Sequence, residues 1–139
     1  MKRVYSTIIT ALFFTTFVFS QKADDILGKY RLPNNLDIEI FQNEGKFYGK
    51  IIAIGDFDEG QTTDINNPDA SKRDEPLLGM VIIKELEFDA DKKQWVGGKM
   101  YGPEKGMVFN LKITGIEKDE IEVVGSKYIF WHTLKWKKI

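Results

Sequence analysis

The chain has 139 residues, with 20 basic and 21 acidic side chains, a formal net charge of −1, one histidine and no cysteine. So mild and mixed a balance excludes a nucleic-acid-binding surface, which needs a concentrated basic face. Without cysteine there are no disulfides, no thiolate catalysis and no thiolate metal site, so the domain must be held by its core and strand ladder.

Residues 1–20 read as a signal peptide. Lys2 and Arg3 precede an apolar run from Ile8 through Phe19, and the small Ser20 stands before Gln21. The run is roughly a dozen residues, short of the ~20 a spanning helix needs. The expected product is exported, periplasmic or secreted, and is not membrane-spanning after cleavage. No cysteine follows the run, so lipid attachment through one is excluded. Residues 21–139 then form a single domain of 119 residues, with 18 basic against 21 acidic side chains once Lys2 and Arg3 are gone. That length suffices for a real core.

Gln21 to Leu27 suits one helical turn, with Ile26 and Leu27 plugging a barrel end. Gly28 to Leu32 reads as a first strand, stopped by Pro33-Asn-Asn35. Leu36 to Ile40 alternates: Leu36, Ile38 and Ile40 face one way, Asp37 and Glu39 the other. Asn43-Glu-Gly45 is a hairpin turn, and Phe47 to Ile54 is the next strand. Gly55 to Pro76 is a long loop region. Leu77 to Leu86 is a strand, and Asp89 to Lys93 a charged turn. Gln94 to Gly102 is a strand whose Gly97 and Gly98 mark a bend, bulge or close backbone approach. After the turn Pro103 to Gly106, Met107, Phe109, Leu111 and Ile113 share a face. Ile121 to Val124 and Tyr128 to Trp136 complete the set, with Tyr128, Phe130, His132, Leu134 and Trp136 on one face.

Eight or nine short strands with short links form antiparallel neighbours, and a meander this long removes its edges by closing. The expected fold is all-β: a small antiparallel meander β-barrel of about eight strands with one long loop. Eight strands leave an interior that side chains fill or that holds one small ligand.

Catalytic signals are weak. His132 is the sole base for a triad and shares its face with Phe130 and Leu134. A partly buried, hydrogen-bonded structural histidine is the favoured reading over a ligand contact. Ser71 and Ser126 sit in no nucleophile-elbow pattern, and one histidine excludes the usual zinc sites. The acidic run Asp56 to Gly60 followed by Asp64 fails as an EF-hand: Gln61 stands where glycine is needed and Asn67 where the bidentate glutamate is needed. A solvated acidic loop is favoured over an irregular calcium site on Asp56, Asp58, Asp64 or Asp69, and no metal or other cofactor is expected. The spacing of Glu75 and Glu104 does not favour a paired acid and base.

The stretch 63–79 is the most specific in composition. Asp64, Asn66, Asn67 and Asp69 bond backbone amides and hold turns. Arg73 staples them through Asp64, Asp69 or Glu75, or clamps an anionic ligand. Trp95, Tyr101, Trp131 and Trp136 are aromatic packing first and a ligand cage second. The candidate ligand-binding residues are Asp64, Asn67, Asp69, Arg73, Trp95, Tyr101 and His132.

Two long motifs in order, Asp64-Ile-Asn-Asn-Pro-Asp69 with Arg73 and Pro76-Leu-Leu-Gly79, then Trp95-Val-Gly-Gly-Lys-Met-Tyr-Gly-Pro-Glu-Lys-Gly106, resemble the signature of an exported bacterial family catalogued as domain of unknown function 2147. Asp24 to Tyr30 and Tyr48-Gly-Lys-Ile51 also fit, and the likeness runs from about residue 24 to 137. It implies a lipocalin-like barrel and no established activity. Gly102 departs from the acidic residue usual before Pro103. His132 and Lys138 stand in a strand where the family often carries arginines.

Three functions are weighed. The first is a binding module for a small apolar or amphipathic ligand at the barrel mouth under the 63–79 loop. The second is a non-enzymatic interaction protein with a filled barrel, whose loop surface binds an envelope partner. The third, an enzyme, would need two titratable groups converging in one pocket.

Overall fold

A computed structural model describes residues 21–139; the expected signal segment 1–20 lies outside the described residues. Eight strands follow one another around a closed barrel: β1 (Gly28–Arg31), β2 (Asp37–Asn43), β3 (Lys46–Ala53), β4 (Val81–Asp89), β5 (Gln94–Gly102), β6 (Met107–Ile116), β7 (Glu120–Lys127) and β8 (Phe130–Lys138). Each pairs antiparallel with the next, and β8 returns to β1 through Tyr30↔Lys138 and Arg31↔Lys137. The strand count and meander agree with the sequence reading, although β4 starts at Val81 rather than Leu77.

Turn chemistry sets the register. Between β2 and β3 only Glu44 and Gly45 intervene, at φ 50° and 80°, the two left-handed residues of a tight hairpin. Between β4 and β5 the Asp89 carboxylate accepts from the amides of Asp91 and Lys92, each at 3.0 Å. In β5 the glycine pair does both things expected of it. Gly97 has φ +73° and the register with β6 shifts between Trp95 and Gly98. A Cβ on Gly98 would stand 2.6 Å from the Leu86 side chain. This bulge bends β5 around the barrel.

One end of the barrel is sealed. A 3₁₀ turn, Ala23–Ile26, crosses it. The Trp95 indole donates to the Ala23 carbonyl at 2.9 Å, and the Tyr30 hydroxyl to the Ile26 carbonyl at 2.7 Å. Ile26 plugs the end as expected. Leu27 does not: the chain has already turned into β1, and Leu27 is 41% exposed. Above the plug lie Ile38, Ile40, Phe47, Ile51, Leu86, Ile113, Ile121 and Trp136, all buried. At roughly 1.5–3 kcal/mol for each fully buried large apolar side chain, this core holds the barrel without disulfides. Every strand, the plug and the closing seam lie within 21–139, so this segment contains what a folded barrel requires.

The opposite end is open. β8 outruns its neighbour: only Lys137 and Lys138 pair with β1, while residues 130–136 pair on the β7 side alone. Beyond Arg31 the chain turns away at Pro33–Asn35, leaving the outer half of β8 beside a gap.

Candidate functional site

The 63–79 loop is a docked structure. Its base is pinned by a bridge between Thr63 and Pro76, with Asp64 N–H to the Glu75 carbonyl at 2.9 Å and Leu77 N–H to the Thr62 carbonyl at 3.0 Å. Within it, the Asp69 carboxylate accepts from the Ser71 amide at 3.0 Å and from its hydroxyl at 2.6 Å, capping the short turn Ala70–Lys72. Those bonds hold the Asp69 carboxyl below its usual range. Arg73 Nε donates to the Asn67 carbonyl at 2.8 Å. Arg73 therefore staples the loop as expected, but through a carbonyl rather than through the carboxylates of Asp64, Asp69 or Glu75.

The loop is tied to the barrel at two places. Asp64, only 1% exposed, accepts from the Tyr101 hydroxyl at 2.6 Å and from Asn67 Nδ2 at 2.8 Å. Desolvation first, and then the Asp64 carboxylate, raise the Tyr101 phenol above its ordinary range. Asn66 Nδ2 donates to the carbonyls of Pro103 and Glu104 at 3.2 and 3.1 Å, and Gln61 Nε2 reaches the Pro103 carbonyl at 3.4 Å. Gly106 lies under this contact at φ +63°, where a Cβ would stand 1.9 Å from the Asn66 carbonyl oxygen. The two sequence motifs are thus the two halves of one docking surface.

This docking puts the loop on the outside of the barrel. Met100 points inward and is buried, so strand alternation turns Lys99 and Tyr101 outward. A recess of about 270 Å³ lies there, lined by Asp64, Asn67, Lys72 and Glu75 of the loop and by Ile82, Lys84, Lys99, Tyr101 and Val108 of the wall. Among the described residues no group of three or more histidines and carboxylates is placed to hold a metal.

The mouth holds a different recess, of about 290 Å³. Met107, Phe109, Gly125, Phe130 and Leu134 form its apolar body, with Glu104, Lys105, Lys127 and His132 as its polar groups. It runs on into a deeper space of about 200 Å³ through shared walls at Glu104, Phe109, Gly125 and Leu134, ending on Leu111, Val123 and Trp136 beside the β1–β2 turn. Glycines make the room: the Phe109 ring lies 3.2 Å from where a Gly125 Cβ would be and 3.4 Å from a Gly102 Cβ. No residue of the 63–79 loop lines either part. The mouth recess and the loop recess are separate, so the expected ligand site at the mouth under the loop divides into two.

The seven candidate residues divide with them. Asp64, Asn67 and Tyr101 come together beneath the loop. Asp69 and Arg73 sit at its exposed far side and line neither recess. Trp95 lies six residues from Tyr101 on β5, about 20 Å away, buried in the sealed end with its N–H bonded to Ala23. It belongs to the plug and cannot touch a ligand at the mouth. His132 lines the mouth and is exposed, not half-buried and bonded, because β8 has no partner on that side. Phe109, Gly125, Phe130 and Leu134 were missed. Their signal lies in the inward faces of β6, β7 and β8, but alternation does not reveal which end of a barrel is left open. Glu75 and Glu104 line different recesses.

A closed, eight-stranded antiparallel meander with one sealed end and one apolar mouth is a lipocalin-like fold. Protein HP1028 from the human pathogen Helicobacter pylori, described as belonging to the lipocalin family, superposes with a TM-score of 0.72 at 22% identity, over 83% of each chain. The chain belongs to the DUF2147 family, described as uncharacterized protein conserved in bacteria, whose sequence profile matches residues 28–138. No curated protein matches the sequence. Among the described residues no helix is long and apolar enough to cross a membrane.

Proposed function

We propose that this protein is an exported, non-enzymatic binding protein that holds one small amphipathic molecule in the mouth of its barrel. The observation that carries this reading is the continuous apolar recess bounded by Phe109, Gly125 and Leu134, open to solvent at the rim. Ligand sites in small barrels are concave, mostly apolar and edged by a few polar groups. Here the sealed half is packed with side chains, so a ligand enters only as deep as Leu111 and Trp136. Its apolar body lies against Phe109 and Leu134. Its polar head meets Glu104, Lys105, Lys127 and His132, where two ammonium groups outnumber one carboxylate, a set that favours an anionic or hydrogen-bonding head group. The recess beneath the loop is more polar, and Asp64 in it is already occupied by Tyr101 and Asn67. The packed lower half is what the alternative, a filled barrel binding an envelope partner through its surface, draws on.

Native mass spectrometry of the protein recovered from an exporting host tests both parts. The expected result is a chain beginning at Gln21, with an excess mass that disappears on denaturation. A hydrophobic fluorescent probe should bind the mouth, and Leu134→Trp, which puts a larger ring at the wall both parts of the recess share, should weaken it about tenfold or more, as obstruction of a well-filled site does. A bare mass with probe binding unchanged by Leu134→Trp overturns the reading.

A further inference from the structure

The strangest surface of the molecule is the tip of the β7–β8 hairpin. Four successive large side chains stand in water there: Tyr128 is 89% exposed, Ile129 79%, Phe130 68% and Trp131 71%. Met107 and Val108 of the adjoining strand add to the patch. A soluble domain rarely leaves so much contiguous apolar surface uncovered without a use for it. The tip cannot fold back into the core, because Tyr128 and Ile129 form the turn itself and the outer part of β8 lacks a neighbour beyond β7. From this tip we infer that the open end of the barrel docks on the surface of an anionic phospholipid bilayer, with residues 128–131 entering the head-group layer.

Three features favour a bilayer over another occupant. The first is chemistry: Tyr and Trp carry an apolar body and a polar handle, which suits the head-group level, and Ile129 and Phe130 between them are purely apolar. The second is charge. Lys99, Lys105 and Lys127 border the patch, and Glu104 is the one carboxylate lining the two spaces that touch residues 126–130; Asp64 and Glu75 lie farther round, in the recess beneath the loop. Lys127 also lies 5.6 Å from the Tyr128 ring, at the base of the tip. Basic residues beside an apolar tip complement anionic head groups. The third is shape. The tip is a narrow projection: Phe130 and Trp131 of β8 stand behind the Tyr128–Ile129 turn, and two strand residues at about 3.3 Å each give it a reach of about 7 Å, within the ~5–10 Å depth at which surface-bound elements bury their apolar faces.

The docking does not depend on the ligand reading. Phe130 belongs to both the tip and the recess, so a docked protein would hold its mouth against the lipid, but the tip would dock equally if the recess held nothing. Leu134→Trp separates the two, since it obstructs the recess where its two parts meet and leaves the tip intact.

The experiment is sedimentation of residues 21–139 with vesicles of phosphatidylcholine alone or mixed with phosphatidylglycerol. Wild type should pellet with the mixed vesicles and far less with phosphatidylcholine. Its tryptophan emission should shift to the blue on binding. Trp95 and Trp136 are already buried, so the shift belongs to Trp131 and should vanish in Trp131→Phe. Ile129→Ser with Phe130→Ser should abolish binding. Lys105→Gln with Lys127→Gln should weaken it about 5-fold per lysine, the ratio that corresponds to about 1 kcal/mol each. Leu134→Trp should bind vesicles as wild type does. No pelleting with mixed vesicles and no blue shift would overturn the inference. So would a tip variant that still pellets, or one whose only effect is to convert a dimer to a monomer in sedimentation velocity, which would make a second copy the occupant.

Discussion

Gly106→Ala puts the docking of the long loop to a quantitative test. The φ of +63° at this position costs a non-glycine residue about 1–2 kcal/mol on its own. The added Cβ would stand 1.9 Å from the Asn66 carbonyl oxygen, far inside contact distance, so either the 103–106 turn or the loop must move. Movement loses the Asn66 Nδ2 bonds to the Pro103 and Glu104 carbonyls, at ~1 kcal/mol each. The expected loss is therefore about 3–4 kcal/mol, large against the roughly 5–15 kcal/mol of an ordinary domain. Gly45→Ala is the control. It has φ +80° with nothing within 4 Å of the new atom, so it loses only the backbone component, about 1–2 kcal/mol. Urea unfolding measures both losses, and trypsin reads the loop directly through cleavage after Lys72 and Arg73. Gly106→Ala should unfold at lower urea than Gly45→Ala and be cut faster in the loop. Equal losses, with equal cleavage rates, would refute the account of the two motifs as one docking surface.

Two other predictions concern hydrogen-bonded phenols. Tyr101→Phe removes the 2.6 Å bond to Asp64 and leaves that buried carboxylate with Asn67 Nδ2; the expected loss is about 1.5–3 kcal/mol, read by urea unfolding, with probe binding at the mouth unchanged. Tyr30 supplies a pH dependence. Burial pushes its phenol up to about 12 from 10.0, so the fold favours the neutral form. Its contribution is complete below pH 10 and is lost as pH rises through 12, at about 1.4 kcal/mol per pH unit inside that window. Urea titrations across the window should show a shallower decline for Tyr30→Phe than for wild type, and parallel declines would contradict the assignment.

The barrel was legible in the sequence because its information is local. Leu36, Ile38 and Ile40 alternate with charged residues and are buried as read. Glu44 with Gly45 and the Gly97–Gly98 pair announced a turn and a bulge, and the structure has both. The site was less legible because it depends on distant pairs. Asp64 meets Tyr101 across 37 residues, and Asn66 meets Pro103 across the same distance. Nothing local states that this contact draws the loop down the outer wall rather than over the mouth. Trp95 and His132 show the same limit from opposite ends. Each sits on a strand assigned correctly, but the stagger of β8 against β1 decides which is sealed in and which is left open. Leu27 failed for a smaller reason, a chain that turned one residue sooner.

The narrow seam between β1 and β8 has a consequence for how the barrel assembles. Seven of its eight strand pairings join neighbours in the chain, and most of them can form as soon as a short turn closes. The eighth joins Tyr30 and Arg31 to Lys138 and Lys137, so it must draw together almost the whole domain for two residue pairs, a backbone bond from Ile139 to Lys29 and the burial of Trp136 in the core. Loop-closure entropy makes such a contact expensive to form early. The meander should therefore exist first as an open sheet with two free edges, and ring closure should be the late, rate-setting event. During that interval the exposed edges of β1 and β8 are where an unfinished molecule is most prone to pair with another.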